Sequence, residues 1–593
     1  MTNAPDYWKL LFKLRSNITL DGDLELAERE LRALVQCPIE PIGEDFLSSW
    51  QQAGWVLPKD VATHRCGVVG YLCHTRPIEL NLLFRRLSFC EQVFGIAPDN
   101  ESTREQLAQL PDSLVRVRQV NGQIAFMFVP FNAIAEWSDV VARRASSPKE
   151  TGVMLDYLCN ALVDEVPVEL PQAARSIIST KQTTGHLFHG LHVYKAKFFP
   201  RMARAFLNLC EGATVLDPFA GSGTALVEAA VMGIPAIGVD IDPLSVAIAR
   251  AKAQLLFDDG AIAEAIPNAL ARLDNSAKGQ GSLFEIAETH ALYSVTPTFL
   301  RRRVPEPILR EVETDVADIL SALRDLPPCS PLHIALSDAL SRKFKFRFLG
   351  LGYGRFSLTI QPRRLRQMFV ENLLYLARAL AVWQWLRQRT GVVPAPITVL
   401  HGDARQLPLE DESVDCVVIS PPPYMPASSG RESYLKSKAF GMTALGLIAP
   451  DAVDAVEAEQ IGSIQRAETI HNLPQSAQEV VLWMQSDPTR CVKAAATASY
   501  FADLRESLRE IRRVLKPQGK CAFVVARQHV FYRYRSREIV RLVESADITA
   551  DLAVQAGLRM LEQIHVELQK QNSVARPRSL DSYYETIVLL QKA

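Results

Sequence analysis

Residues 214–243 read TVLDPFAGSGTALVEAAVMGIPAIGVDIDP, and the fold follows from how this stretch must bend. Val215 and Leu216 close an apolar strand. The turn Asp217-Pro218-Phe219-Ala220-Gly221-Ser222-Gly223-Thr224 holds two glycines, which let backbone approach a ligand closely. Ala225–Met232 reads as a short helix ended by Gly233, and Ala236–Val239 as a second strand reaching Asp240. Strand, glycine turn, helix and strand make half of a doubly wound α/β sheet, in which ligands bind at the carboxyl ends of the strands.

The same pattern resumes far downstream. Ile397–Leu400 is an apolar strand followed by Gly402-Asp403-Ala404-Arg405, and Cys416–Ile419 runs directly into Ser420-Pro421-Pro422-Pro423-Tyr424. Three prolines cannot continue a central strand, so the chain must leave the sheet there as a rigid loop. An aspartate therefore closes each of three strands. Alone, each would be a cap or turn former. Together they outline a cofactor site. Asp217 ahead of the glycines would repel a pyrophosphate and suits an ammonium group, such as the methionine end of S-adenosylmethionine. Asp240 can accept from ribose hydroxyls, and Asp403 beside Ala404 can receive an adenine amino group.

Composition bounds the rest. A chain of 593 residues exceeds one hydrophobic core, so two to four domains are expected. Net charge is −1, so affinity for nucleic acid has to come from local basic patches. The ten cysteines are scattered and form no C-x-x-C pair, which points to reduced thiols in a cytoplasmic protein without a zinc ribbon. No apolar signal core opens the sequence, and no run approaches the roughly 20 apolar residues of a membrane helix. There is no P-loop motif.

Five regions are expected. Residues 1–135 form an α+β domain, with strands at Tyr7–Leu14, Cys66–Cys73 and Gln123–Pro130 and helices at Leu24–Val35 and Glu79–Phe94. Its role is packing or substrate recognition. Residues 136–185 connect it to the first half of the core, 186–258, and residues 394–593 supply the second half. Between the halves, 259–393 is a largely helical insertion with a basic character. It carries Arg301–Arg303, the run Arg342-Lys343-Phe344-Lys345-Phe346-Arg347-Phe348, the stretch Gly350–Phe356, and Arg363, Arg364 and Arg366. Cations alternating with aromatics suit phosphate contacts and base stacking, against the plainer reading of a solvated cationic face. His189 and His192 are three apart but have no acidic or thiol neighbour in sequence, so no metal is expected and the segment suits a pocket rim.

DPFAGSGT, VDIDP, GDAR and SPPPY together resemble the motifs of class I S-adenosylmethionine-dependent amino-methyltransferases, most closely the bacterial DNA methylases of cytosine N4 and adenine N6. HVYKAKFFP is similar to their upstream cofactor motif, and RESYLKSKAFGMTALGL to the segment after their catalytic loop. The resemblance spans about residues 189–592. It implies a Rossmann-like core and S-adenosylmethionine held by Tyr194, Lys197, Phe198, Asp217, Pro218, Phe219, Gly221, Gly223, Thr224, Asp240, Asp403 and Ala404. It also implies catalysis by Ser420, Pro421, Pro422 and Tyr424. In the family, the polar side chain and a proline carbonyl accept from an exocyclic amino group while the aromatic ring stacks on a flipped base. The family loop has two prolines and this one has three, so the non-enzymatic alternative is a nucleic-acid-binding protein with a degenerate methylase fold. DNA is the favoured partner over RNA, with proteins of a restriction–modification system as further partners. The competing substrate is tRNA, because YWKLLFKL and FRRLSFCEQVFGI resemble the front of tRNA guanosine-N2 methyltransferases.

Overall fold

The computed structural model describes residues 7–18, 21–43, 67–163, 171–180, 184–194, 198–277, 295–348, 356–419, 425, 435–463, 472–533, 536, 538–568 and 583–593. Lys197, residues 350–355 and the motif Ser420–Tyr424 lie outside them.

The first sheet contains β1 (Trp8–Leu14), β2 (Ile39–Ile42), β3 (Gly70–Thr75), β4 (Cys90–Pro98), β5 (Val115–Val120) and β6 (Gln123–Phe128). Their order is β2-β3-β1-β4-β6-β5, and all pairs are antiparallel. A single helix over Glu79–Phe94 does not form. The helix Leu80–Arg86 buries Leu80, Leu83 and Phe84 and then stops. From Cys90 the chain ladders between β1 and β6, and its first six residues are buried. Neighbouring strands on both sides outweigh the helical spacing of the sequence.

The second sheet begins with β7 (Val215–Asp217) and β8 (Ala236–Asp240). The insertion follows, with helices Ala261–Ala277, Glu306–Ala322, Pro331–Lys343 and Leu365–Thr390. Amid these helices is an antiparallel hairpin of β9 (Phe344–Phe348) and β10 (Phe356–Ile360). The period-two run Phe-Lys-Phe-Arg-Phe is the signal for this hairpin. The sheet is then completed by β11 (Ile397–His401), β12 (Val414–Ile419) and β13 (Leu515–Ala526). A small hairpin, β14 (Gln528–Tyr532) with β15 (Ile539–Glu544), precedes the last two strands, β16 (Leu558–Leu568) and β17 (Tyr583–Lys592).

The order is β11-β8-β7-β12-β13-β17-β16. The first five strands are parallel, and β17 is antiparallel to β13 and β16. Numbered within this sheet, that is 3-2-1-4-5-7-6, the class I methyltransferase arrangement. The winding reverses between β7 and β12, where Leu216 pairs with Val417. A ligand crevice opens at such a reversal. The glycine turn 217–224 leaves β7 at this edge, and in the sequence Ser420 follows Ile419, the last residue of β12.

One helix joins the two sheets. Pro200–Cys210 places Arg201, Arg204 and Asn208 on one face, all fully buried or nearly so. Arg201 donates to Glu136 at 2.8 Å, and Glu136 also pairs with Arg15 at 2.9 Å. Asn208 donates to Glu30 at 2.8 Å. Arg204 reaches the Arg85 carbonyl in the first half and, at 2.7 Å, Glu228 on the helix Thr224–Met232 in the second. Arg85 returns the contact, donating to the Val231 carbonyl at 3.1 Å and to the Val393 carbonyl at 2.9 Å. Breaking a buried ion pair strands the remaining charge, which costs about 3–5 kcal/mol. Arg204→Leu is therefore expected to lower the urea midpoint of the first unfolding transition by an amount equivalent to about 3–5 kcal/mol. A loss comparable to that of the exposed pair variant Arg310→Ala would mean that this joint does not hold the halves together.

Candidate active site

The glycine turn after β7 is shaped by Asp240. Its Oδ2 accepts from the Gly221 amide at 2.7 Å and its Oδ1 from the Asp242 amide at 2.9 Å. Gly221 and Gly223 have φ of +51° and +74°, and a Cβ on Gly223 would stand 2.9 Å from the Ala249 Cβ. Both positions thus require glycine. Buried Lys252 donates to the Ser222 carbonyl at 2.7 Å, fixing the turn from beneath.

Asp217 lies at the mouth of β7 and is 1% exposed. Its Oδ1 accepts from the Phe219 amide at 3.0 Å, while its buried Oδ2 has no hydrogen-bond partner. An unmet buried carboxyl oxygen at the start of a glycine turn, once ionised, fits an arriving ammonium group. Burial pushes the carboxyl up to about 8, with Asp240 adding to the rise against the Phe219 amide. Asp240 is itself raised to about 6, by burial first and by Asp242 second.

Tyr194 and Phe198 bracket the undescribed Lys197. The Tyr194 hydroxyl lies 2.9 Å from Ser245 Oγ, and its ring would touch a Cβ on Gly221 at 3.2–3.4 Å, so the ring borders the turn. Phe198 is buried against Phe206. Pro218, Phe219 and Thr224 sit in the turn itself, and Thr224 starts the following helix. Asp403 is brought to the end of β11, next to β8, but Arg405 occupies both its carboxylate oxygens at 2.6–3.0 Å. An adenine amino group there would have to share the carboxylate with Arg405. Ala404 is buried beside it.

Two features escaped the sequence. The first is Lys438, in the segment after the proline loop. Its ammonium lies 2.7 Å from Asp242 Oδ2 and 4.1 Å from the centre of the Tyr194 ring. Burial would lower the Lys438 pKa, but Asp242 and Tyr194 outweigh it and hold the group charged. Lys438 in turn depresses Asp242 against the effect of burial and opposes the rise of Asp240. The second is an acidic partner for His189. Glu228 Oε1 stands 2.8 Å from His189 Nε2 and 3.2 Å from His186 Nε2, and the three ligand atoms lie within 4.8 Å of one another. They converge as metal ligands do. However, Arg204 holds the other carboxylate oxygen, so a divalent ion would be buried against a guanidinium. Burial would raise Glu228, yet the two imidazoles and Arg204 keep it well below the ordinary carboxylate range. The cluster is a saturated carboxylate that fastens the turn at 185–192 to the cofactor helix. His192 continues the fastening, with Nε2 3.1 Å from Ser337 Oγ, and the Val193 amide donates to Asp338 at 2.6 Å.

Residues 192–263 match the family model described as RMKL-like, methyltransferase domain. This segment is similar to methyltransferase domains. Over 83 residues the chain is 45% identical to Type II methyltransferase M.MjaII of Methanocaldococcus jannaschii, covering 14% of this chain and 16% of that protein. Over 46 residues it is 52% identical to the tRNA (guanine(10)-N2)-dimethyltransferase of the same organism, covering 7% and 13%. The chain thus spans about a sixth or less of the length of these relatives. TrmN from Thermus thermophilus aligns over 99% of this chain and 100% of its own at a TM-score of 0.28 and 12% identity. S-adenosylmethionine is the cofactor such a segment implies, and the empty Asp217 oxygen, the Gly221 turn and Asp240 fit its amino-acid and ribose parts. Among the described residues no helix is long and apolar enough to cross a membrane.

The acid–base state of the site sets its pH dependence. Folded Asp217 keeps a proton that the unfolded chain releases above its ordinary 3.8, so stability falls as pH rises toward about 8. Asp217→Asn removes that slope, so at pH about 8 the variant is expected to melt above the wild type. The same variant is expected to bind S-adenosylhomocysteine on the order of 10- to 100-fold more weakly, the worth of a charge-assisted hydrogen bond. In the wild type, affinity for S-adenosylhomocysteine should climb from pH about 6 to about 8 as Asp240 and then Asp217 ionise. Lys438→Met should move the start of that climb to higher pH, because Asp240 and Asp242 are then adjacent without a cation. Calorimetric titration across pH checks both; a flat profile in the wild type would contradict the assignment.

Proposed function

We propose that this protein transfers a methyl group from S-adenosylmethionine to an exocyclic amino group of a base in DNA, cytosine N4 or adenine N6. The observation that carries the reading is the orphaned Asp217 oxygen at the mouth of a strand in a 3-2-1-4-5-7-6 sheet. A carboxylate there suits a methyl donor carrying an ammonium and opposes a dinucleotide.

S-adenosylmethionine supplies an electrophilic methyl group on its sulfonium. The chain's own residues do the rest. Asp217, Asp240 and Tyr194 orient the donor at the strand ends. Ser420 follows β12, the strand beside β7, and is our acceptor for an N–H of the target amine, together with the Pro421 or Pro422 carbonyl. These acceptors draw the nitrogen lone pair out of conjugation with the ring. Tyr424 stacks on the extruded base. When the donor is bound, its methyl would pass to that nitrogen with S-adenosylhomocysteine as the leaving group, and the amine's extra proton would go to water. Positioning supplies most of the rate. No cysteine takes part, which accords with the burial of Cys416 and Cys521 and their strongly raised thiol pKa values.

A second reading is methylation of a guanosine N2 in tRNA. It uses the same amine chemistry, and the 52% match to a tRNA (guanine(10)-N2)-dimethyltransferase favours it. We expect labelled methyl to enter DNA and to be recovered as N4-methylcytosine or N6-methyladenine on nucleoside mass spectrometry. N2-methylguanosine in tRNA with unmodified DNA would establish the second reading. Cofactor binding with no transfer to either polymer would make the chain a binding protein. Ser420→Ala should lower kcat on the order of 100-fold with little change in cofactor affinity, the scale of losing one transition-state hydrogen bond.

A further inference from the structure

Two clefts meet on the insertion. The first, about 560 Å³, is bordered by Phe344, Lys345 and Phe346 of the hairpin and by Arg363; Val193 and Lys438 form its other side. The second, about 320 Å³, lies between Arg378 and Tyr375 of the helix Leu365–Thr390 and Arg143 of the helix Phe131–Arg144. Arg342 borders both, so the two clefts are neighbours, and together they are treated as one groove. At its near end, Val193 precedes Tyr194, and Lys438 touches both Tyr194 and Asp242, so this end borders the cofactor site.

The groove is lined by cations whose partners leave donors free. Lys345 is exposed and makes no ion pair among the described residues. Arg342 and Arg143 are tethered to the buried carboxylates of Asp338 at 2.6 Å and Asp139 at 3.0 Å, with about half of each arginine side chain exposed. Arg378 is held by the Ala142 carbonyl at 2.8 Å through Nε alone. Glu371, paired with Arg363, is the opposing charge at the border of the second cleft. Aromatic surface accompanies the charge, with half-buried Phe346 in one cleft and Tyr375 in the other, 5.0 Å under Arg143.

We propose that this groove holds one strand of the DNA substrate, with phosphates on Lys345, Arg363, Arg342 and Arg378, and delivers the extruded nucleotide to the cofactor site. The inference rests on the methyltransferase reading above. Clefts of these volumes accept nucleotides but not a duplex, and an amine buried in base pairing must leave the stack to react. Spaced cations beside aromatic rings are the chemistry of single-strand contact.

The test compares wild type with Lys345→Ala/Arg363→Ala, both exposed positions, and with Arg310→Ala, an exposed cation outside the groove. Each is titrated with a fluorescent single-stranded DNA, the RNA of the same sequence, and S-adenosylhomocysteine. The double variant should lose on the order of tenfold or more in DNA affinity and KM, and its slope of log affinity on log salt should be shallower by about 1.4. Arg310→Ala should behave as wild type, and S-adenosylhomocysteine should bind all three alike. Unchanged DNA affinity and salt slope in the double variant would overturn the groove while leaving the methyltransferase reading intact. Binding of the RNA alone would overturn the assignment to DNA. Failure of the wild type to bind S-adenosylhomocysteine would instead count against the reading on which the groove rests.

Discussion

A single buried carboxylate, Glu228, ties together the parts on which the site depends. It projects from the helix that begins at Thr224, directly after the glycine turn, and meets Arg204 on one oxygen and His189 on the other, with His186 Nε2 3.2 Å from the latter. Through Arg204 it reaches the first sheet, and through His186 and His189 it holds the turn leading to Tyr194. A charge this deep is tolerated only when its partners are in place. The register of three chain segments is therefore enforced by one unfavourable alternative, a stranded anion.

The cofactor side of the crevice has the opposite character. Asp217 is left incompletely satisfied and Asp240 is crowded by Asp242, so both carboxyls are raised. Buried groups in this state are candidates for a functional site. Lys438 moderates the crowding and comes from just beyond the proline loop, so the electrostatics of donor binding are linked by chain connectivity to the loop that would hold the acceptor.

Much of the core was legible because its signals are local. The glycines at positive φ, the Asp at each strand end and the apolar runs of β7, β8, β11 and β12 are readable one after another. What sequence reasoning missed depends on long-range contact. The strand Cys90–Pro98 carries helix-like spacing and becomes a strand only because β1 and β6 flank it. Glu228 lies 39 residues from His189, and Lys438 lies 196 from Asp242, so neither partnership leaves a pattern in the sequence. The hairpin is different, since its alternating Phe-Lys-Phe-Arg-Phe was a strand signal present in plain view.

The central claim is that the turn at Asp217 receives an ammonium-bearing methyl donor. Isothermal titration with three ligands isolates it: S-adenosylhomocysteine, 5′-methylthioadenosine, which lacks the amino-acid end, and NAD, which carries a pyrophosphate. The account predicts tight binding of the first, at least tenfold weaker binding of the second, as expected for loss of a charge-assisted hydrogen bond, and none of the third. Equal affinity for the first two, or preference for NAD, would contradict it.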